Sequence, residues 1–248
     1  MTEKLKKLNY LSPSVINKYI DCPLQFYLSK VAEFTEDDEL TEGVDSSMFG
    51  TIFHKAMELI YTEYIGRLVT AEDLQTLINK KNCITDYVDK AFSIEFFHMP
   101  DNLETYHPNY NGEQLLNKYV IIDYVKNQLK YDMQSCPMTI LGVEKKMKIP
   151  FELNDGSTIL IGGIIDRYER VRINGQNVIR ISDYKTNAKA QKTVTLEDTF
   201  DSTKSGRAYN YLQALYYCEV FTRHENPKEP VSPALMYIKT ALSSRDFR

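Results

Sequence analysis

The sequence predicts an α/β protein of the α+β type, in which helices flank a central mixed β-sheet and a helical insertion interrupts the chain. Two observations support this class. Runs within about residues 139–240 alternate apolar and polar side chains with the two-residue period of strands. Residues 66–138 instead show the longer period of amphipathic helices. We therefore expect one domain over residues 1–248, with an insertion over about 66–138 and a β-rich core over about 139–240.

Length and charge exclude several classes of protein. The chain has 248 residues and a formal net charge of −4, which argues against a broadly basic nucleic-acid coat but leaves room for a local basic groove. No apolar run has the length of a membrane span, and the N-terminus lacks an apolar signal core, so we expect a cytoplasmic protein without a membrane partner. The four cysteines show no C-x-x-C spacing and indicate neither a zinc site nor a disulfide scaffold.

The N-terminal third is predicted to be helical. Ser12 followed by Pro13 is a helix start, and Pro23 breaks or restarts that helix. Residues 34–45 are acidic and without period, as in a solvated loop. A strong amphipathic pattern over 47–65 predicts a helix that carries His54 and Glu58 on one face. Further helices, which we interpret as a lid or cap, are predicted over residues 71–79, 84–97 and 113–134.

The β-rich core is predicted from turn signals between alternating runs. Asn174-Gly175 is the strongest short-range signal for a hairpin, and Asn154-Asp-Gly156 marks another turn. Residues 186–207 are polar and are interpreted as a mobile loop. The chain has no G-x-x-x-x-G-K-[ST] loop, hence no ATPase motor of that kind. The expected strands cover residues 141–153, 157–171, 178–184 and 231–239, with a helix over 208–223.

Two carboxylates and an amine are the candidate chemistry of this core. Asp166 ends one β-rich run, and Asp183 and Lys185 share a face of the next strand. If the two runs pair antiparallel around Asn174-Gly175, Asp166 approaches Asp183. Two nearby carboxylates repel each other unless a metal or a proton is held between them. With a fixed ammonium group beside them, they suit a negatively charged, oxygen-rich substrate such as a phosphodiester.

These motifs, taken in order, resemble the PD-(D/E)XK nuclease superfamily, in the branch of RecB and AddB nuclease domains and most like the AddB C-terminal domain. Each motif alone is weak, but five in the expected order span residues 10 to 217. The resemblance implies a restriction-endonuclease-like core. The matching segments are Leu11-Ser-Pro-Ser14 with Cys22-Pro-Leu-Gln-Phe26-Tyr27, Gly50-Thr51-Ile-Phe-His54, Gly163-Ile-Ile-Asp166-Arg167, Asp183-Tyr-Lys185-Thr186 and Gln213-Ala-Leu-Tyr-Tyr217.

The resemblance also implies roles. Asp166, Asp183, His54 and the backbone carbonyl of Tyr184 would bind one or two Mg²⁺ or Mn²⁺ ions. Lys185 would orient or deprotonate the attacking water, and it would be catalytic together with the two aspartates. The last two residues of the set, Gln213 and Tyr217, would contact the DNA backbone or support the site. Glu58 is interpreted as a solvated or supporting residue, and Glu144 is interpreted in the same way, since a charge on a strand usually lies on its solvated face.

One part of the family pattern is missing. Some relatives carry an iron–sulfur cluster, and only Cys22 stands at a matching position, whereas such a cluster needs four thiolates. No iron–sulfur cluster is therefore expected in this chain, which would be a fragment lacking the C-terminal cysteines or a clusterless relative. Here Cys22 would be a buried small side chain.

Three functions remain open at this point. The first is a metal-dependent deoxyribonuclease, an exonuclease acting on linear single- or double-stranded DNA as part of a helicase–nuclease in double-strand break repair and recombination. The second is a catalytically silent DNA-binding or scaffold subunit that keeps the fold. The third is a hydrolase of another phosphoester. The simultaneous presence of Asp166, Asp183 and Lys185 favours the first.

Overall fold

The structure is a computed structural model, and it describes residues 9–34, 43–102, 108–186, 195–203 and 207–241. Its centre is a five-stranded sheet with the strand order β1-β2-β3-β4-β5. Neighbouring strands run antiparallel except β4 and β5, which are parallel, so the predicted mixed sheet is confirmed. The strands are β1 (Leu68–Val69), β2 (Met138–Glu152), β3 (Thr158–Ile173), β4 (Gln176–Lys185) and β5 (Val231–Tyr237).

Helices flank this sheet, and several begin at residues that satisfy the free backbone N–H groups of a first turn. Ser12 accepts from the backbone of Val15 at the start of α1, and Asp45 accepts from Met48 at the start of α3. Short π-helical and 3₁₀ turns occupy Tyr27–Val31 and Glu197–Thr199. The α-helices are α1 (Pro13–Asp21), α2 (Pro23–Phe26), α3 (Ser46–Thr62), α4 (Ala71–Asn79), α5 (Cys83–Glu95), α6 (Gly112–Met133), α7 (Tyr209–Glu225) and α8 (Ile238–Ala241).

The sheet lies between two hydrophobic clusters. On one face, α3 to α6 pack against apolar strand residues such as Ile140, Val171 and Tyr184. On the other face, Tyr217, Val220 and Phe221 of α7 cover a second set of strand residues, namely Met147, Ile149, Ile161, Ile165, Tyr168, Ile179 and Ile181. The helical segment that we interpreted as a lid or cap therefore shares its core with α3 and the sheet.

The β2–β3 hairpin is longer than the rest of the sheet. β4 pairs only with residues 167–173 of β3, so residues 145–152 and 158–165 form an arm that extends past β4. Leu11 lies against the free edge of this arm, donating from its N–H to the carbonyl of Leu160 and accepting from the N–H of Gly162. α7 packs on one face of the arm only, and on the opposite face, which we call the open face, Lys146, Lys148, Leu160 and Ile164 are exposed among the described residues.

Most sequence-predicted elements are confirmed within a few residues, and three expectations need comment. Arg207 is 6% exposed and bonds Asn17, Asp21 and the carbonyl of Thr199, so assigning it to a mobile polar loop was wrong. Strand β1 was not expected within the helical insertion. Large parts of the two predicted loops, residues 35–42, 187–194 and 204–206, lie outside the described residues. Among the described helices, none has both the length and the apolar composition to cross a bilayer.

Candidate active site

Two hairpin registers bring three acidic residues together at the centre of the sheet. In the β3–β4 pair, Arg167 lies opposite Ser182, so the next residues along, Asp166 and Asp183, are cross-strand neighbours. In the β2–β3 pair, Val143 lies opposite Arg167 and Lys145 opposite Ile165, which places Glu144 opposite Asp166. Asp166 is thus flanked by a carboxylate on each neighbouring strand.

The backbone of Glu144 is unusual for a strand residue. Its φ of 42° lies in the left-handed region that costs free energy for a residue with a Cβ atom. Regular alternation would place the side chains of Val143 and Lys145 on the same face of the sheet. Instead, Val143 packs with the α3–α6 cluster, whereas Lys145 pairs with Glu225 of α7 on the opposite face. The Glu144 carboxylate consequently turns towards His54, which agrees with the supporting role and not with a place on the solvated strand face.

Helix α3 approaches the sheet closely enough to bring His54 to these carboxylates. A Cβ atom on Gly50 would lie only 3.1 Å from Oγ1 of Thr186, which directly follows β4. One turn later, Nδ1 of His54 lies 3.4 Å from Oδ2 of Asp166 and 3.8 Å from Oε1 of Glu144. A glycine at position 50 therefore leaves the space that α3 needs to bring His54 within reach of the carboxylates.

Together, His54, Glu144 and Asp166 offer one imidazole nitrogen and two carboxylate oxygens, all within 4.8 Å of one another. Burial lowers the pKa of His54, but Asp166 and Glu144 outweigh this effect and raise it to about 10. Burial raises the pKa of Glu144, which the nearby imidazole of His54 partly opposes. The raised pKa of His54 reflects the negative charge of the two carboxylates beside it, and the nitrogen and oxygen donors fit Mg²⁺ or Mn²⁺.

Asp183, on the strand at the other side of Asp166, contacts two further polar side chains, Lys185 and Gln213. Its Oδ2 lies 2.7 Å from Nζ of Lys185, and its Oδ1 accepts a 2.8 Å hydrogen bond from Nε2 of Gln213. Lys185 in turn donates to Oε1 of Gln213 at 2.9 Å, so the three side chains close a ring of contacts. Burial and the charge of Asp166 raise the pKa of Asp183 to about 6, against the opposing effect of Lys185.

Two buried tyrosines, Tyr184 and Tyr217, pack beside these polar side chains. The backbone N–H of Tyr184 donates to Oδ2 of Asp166 at 2.8 Å, and its buried ring packs edge-on against Phe53 and His54. Tyr217 is 7% exposed and its ring fills the space beside Gly163, where a Cβ atom would lie 2.6 Å away. Of the two roles open for Tyr217, this burial favours support of the site over contact with a ligand.

A cavity of about 460 Å³ opens beside the three candidate metal ligands. Hydroxyl groups of Ser47 and Thr51 on α3 line it, together with the pair of Lys55 and Glu58, whose charged atoms are 2.9 Å apart. The position of Glu58 next to Lys55 agrees with a supporting residue. The cavity gives an extended ligand access to His54 and Glu144.

The structure thus brings His54, Asp166, Asp183, Lys185 and Gln213 together, with Tyr217 beside them. Cys22 is only partly buried, so the expectation of a buried small side chain was wrong. It caps α2, where its Sγ accepts from the N–H of Gln25 at 3.4 Å. Sequence reasoning missed Glu144. Counting equal steps outwards from the Asn154-Asp-Gly156 turn would have placed it opposite Asp166 and signalled its proximity.

Comparison with known proteins agrees with this geometry. A family model described as the PD-(D/E)XK nuclease superfamily matches residues 10–245. The chain is 29% identical over 191 residues to the ATP-dependent helicase/deoxyribonuclease B subunit of Carboxydothermus hydrogenoformans, covering 71% of this chain and 16% of that protein. It is 24% identical over 206 residues to the protein of the same name from Clostridium perfringens, covering 75% and 17%. The chain therefore spans about one sixth of the length of these relatives.

Proposed function

The chain belongs to the PD-(D/E)XK nuclease superfamily, and from this membership we propose that it is a metal-dependent deoxyribonuclease that hydrolyses phosphodiester bonds. The observation that carries the proposal is the position of the His54, Glu144 and Asp166 donors directly beside the Asp183–Lys185–Gln213 ring. One group suits a cation and the other presents an ammonium group, as hydrolysis of a phosphodiester requires.

In this proposal His54, Glu144 and Asp166 hold Mg²⁺ or Mn²⁺, with Asp183 and the carbonyl of Tyr184 as further ligands of one or two ions. When bound, such an ion polarises the phosphoryl group and lowers the pKa of a bound water. The N–H of Tyr184 keeps Asp166 oriented through its 2.8 Å hydrogen bond. Glu144 lies opposite Asp166 on the adjacent strand, so both carboxylates come from rigid sheet positions.

Lys185 is the proposed catalytic donor. Contacts with Asp183 and Gln213 restrain its ammonium group, which can donate to a phosphate oxygen and to the attacking water. The amide of Gln213 donates to Asp183 and accepts from Lys185, so it positions Lys185 relative to Asp183. Fixed positive charge at the developing negative charge of the transition state lowers the barrier because little reorganisation is needed.

The wider role follows from the named relatives. Two of them are B subunits of ATP-dependent helicase/deoxyribonucleases, so we propose that this domain digests linear DNA as an exonuclease within a helicase–nuclease in break repair and recombination. A motor elsewhere in such a complex would supply the unwinding, since residues 1–248 contain no phosphate-binding loop of the G-x-x-x-x-G-K-[ST] type.

The test is a digestion of linear and circular DNA, single- and double-stranded, with Mg²⁺ or Mn²⁺. Wild type should release nucleotides from linear DNA only, and Asp166→Asn and Lys185→Ala should abolish the release while retaining the thermal unfolding profile. Equal, trace activity of wild type and both variants would contradict the nuclease and support a silent DNA-binding protein. Cleavage of small phosphodiesters without cleavage of DNA would support a hydrolase of another phosphoester.

A further inference from the structure

The open face of the β2–β3 arm has the charge and the position of a path for the substrate strand. Residues 145–152 and 158–165 alternate between two faces, and the side chains of Met147, Ile149, Ile161 and Ile165 are buried against α7. Lys146, two residues beyond Glu144, and Lys148 have their side chains on the opposite face, and both are exposed. This face is therefore continuous along β2 with the candidate active site.

The two lysines differ from other lysines near the site in their partners. Lys55, Lys145 and Lys185 each lie within 4.0 Å of a carboxylate oxygen. By contrast, Nζ of Lys146 lies over the ring of Tyr10 at 5.2 Å, and Nζ of Lys148 contacts Oδ1 of Asn9 at 3.2 Å. Within the part of the chain that the structure describes, neither ammonium group has an acidic partner within salt-bridge distance.

The residues opposite the lysines are apolar or small. Ile164 pairs with Lys146 and is 43% exposed, and Gly162 pairs with Lys148. Leu160 follows and is 39% exposed. A face with two unneutralised cations and exposed apolar side chains matches a polyanion that also carries apolar surfaces, as a nucleic acid strand does with its phosphates, sugars and bases.

Spacing also supports a nucleic acid strand. Side chains two residues apart on one strand are separated by about 6.6 Å, so the flexible lysine side chains can reach successive phosphates of one chain. Lys146 is two residues from Glu144, a span of at most about 7 Å, which brings the first of these phosphates next to the one at the metal ligands.

Resting on the function proposed above, we propose that Lys146 and Lys148 bind the phosphates of the polynucleotide next to the scissile bond and direct the strand along the open face of the arm. Contacts of this type go to the backbone and do not read bases, so they serve every sequence equally. They make binding of a polymer stronger than binding of an isolated phosphodiester.

Binding is measured without cleavage, by fluorescence anisotropy of a short labelled single-stranded oligonucleotide in EDTA at several salt concentrations. Lys146→Ala with Lys148→Ala should weaken binding about tenfold at low salt and reduce the magnitude of the slope of log K against log salt by about 1.4, equally for two unrelated sequences. Lys146→Arg with Lys148→Arg should restore most of the affinity, because both cations return.

Two controls separate a local contact from a general effect of charge. The variant with Lys80→Ala and Lys81→Ala removes two exposed lysines at the end of α4, and Lys145→Ala removes the neighbour that faces α7 and pairs with Glu225. Both should stay within about twofold of wild type, as expected for loss of a distant or neutralised charge. An equal loss in the Lys80/Lys81 control would overturn the proposal, as would an unchanged salt slope in the Lys146/Lys148 variant.

The outcome is distinguishable from failure of the nuclease itself. If wild type binds the oligonucleotide through Lys146 and Lys148 but does not cleave it with Mn²⁺, the proposed nuclease function is wrong, whereas the proposed strand-binding role of the two lysines is supported. If wild type cleaves DNA but the Lys146/Lys148 variant binds and cleaves with unchanged Kd and KM, the path fails and the function stands. If wild type does not bind at low salt, the path is overturned as well.

Discussion

Arg167 and Asp132 form a two-point ion pair in which both side chains are 0% exposed. Nη1 of Arg167 lies 2.7 Å from Oδ2 of Asp132, and Nη2 lies 2.9 Å from Oδ1. Tyr61 and Gln128 also donate to the same carboxylate, and Glu169 accepts from Nε of Arg167. This pair joins the end of α6 to β3 at the residue directly after Asp166, so the active-site strand is anchored to the helical segment.

Replacing Asp132 with Ala should destabilise the protein by about 3–5 kcal/mol, because Arg167 would keep a buried charge with only part of its partners. The measurement is the free energy of unfolding in urea. Replacing both residues by apolar ones, Asp132→Leu with Arg167→Met, should cost less than the single change. A loss below about 1 kcal/mol for Asp132→Ala would show that the pair contributes no more than a surface ion pair.

Removing the charge of Glu144 should weaken metal binding. We expect Glu144→Gln to raise the Kd for Mn²⁺ at least about tenfold, because it replaces one of the two anionic carboxylate donors by a neutral amide oxygen. Isothermal titration calorimetry on the metal-free protein measures this. Glu58→Gln is the matched control, since Glu58 lines the same cavity but pairs with Lys55. Equal effects of the two changes would indicate that Glu144 attracts the metal only through its negative charge and is not a ligand.

Loss of the Lys185 ammonium group should lower kcat at least about a hundredfold with little change in metal affinity, because its charge acts on the transition state. Steady-state digestion of DNA and Mn²⁺ titration measure the two quantities. Lys55→Ala removes a lysine from the cavity beside His54 and Glu144 and should leave kcat within about threefold of wild type, because Lys55 pairs with Glu58 outside the proposed donor set. A normal kcat in Lys185→Ala would remove the residue from the mechanism.

Gly163→Ala should destabilise the protein by about 1–3 kcal/mol, because the new Cβ atom would lie 2.6 Å from the ring of Tyr217 and force it to move. Thermal and urea unfolding measure the change. Gly112→Ala is a suitable control because nothing lies within 4 Å of the added atom. In a Tyr217→Leu background the cost of Gly163→Ala should fall, and strict additivity of the two changes would contradict the contact.

The sequence by itself determined the order of the long helices and strands, although not the presence of β1, and the pairing of β3 with β4. Asn174-Gly175 selects a tight hairpin, and the two-residue period then places Asp166 beside Asp183 without any distant contact. The helix starts at Pro13 and near Asp45 follow equally local rules of capping. Turn chemistry and side-chain period are steric properties of a few neighbouring residues, so they can be inferred from the sequence alone.

Only the tertiary structure decided which side chains complete the site. Glu144 turns towards His54 through a positive φ, a backbone state that strand propensity argues against. Lys185 meets Gln213 because α7 packs across the sheet, and Arg207 is buried because α1 lies against it. These contacts depend on how helices distant in sequence dock through their side chains, and no local pattern encodes that docking.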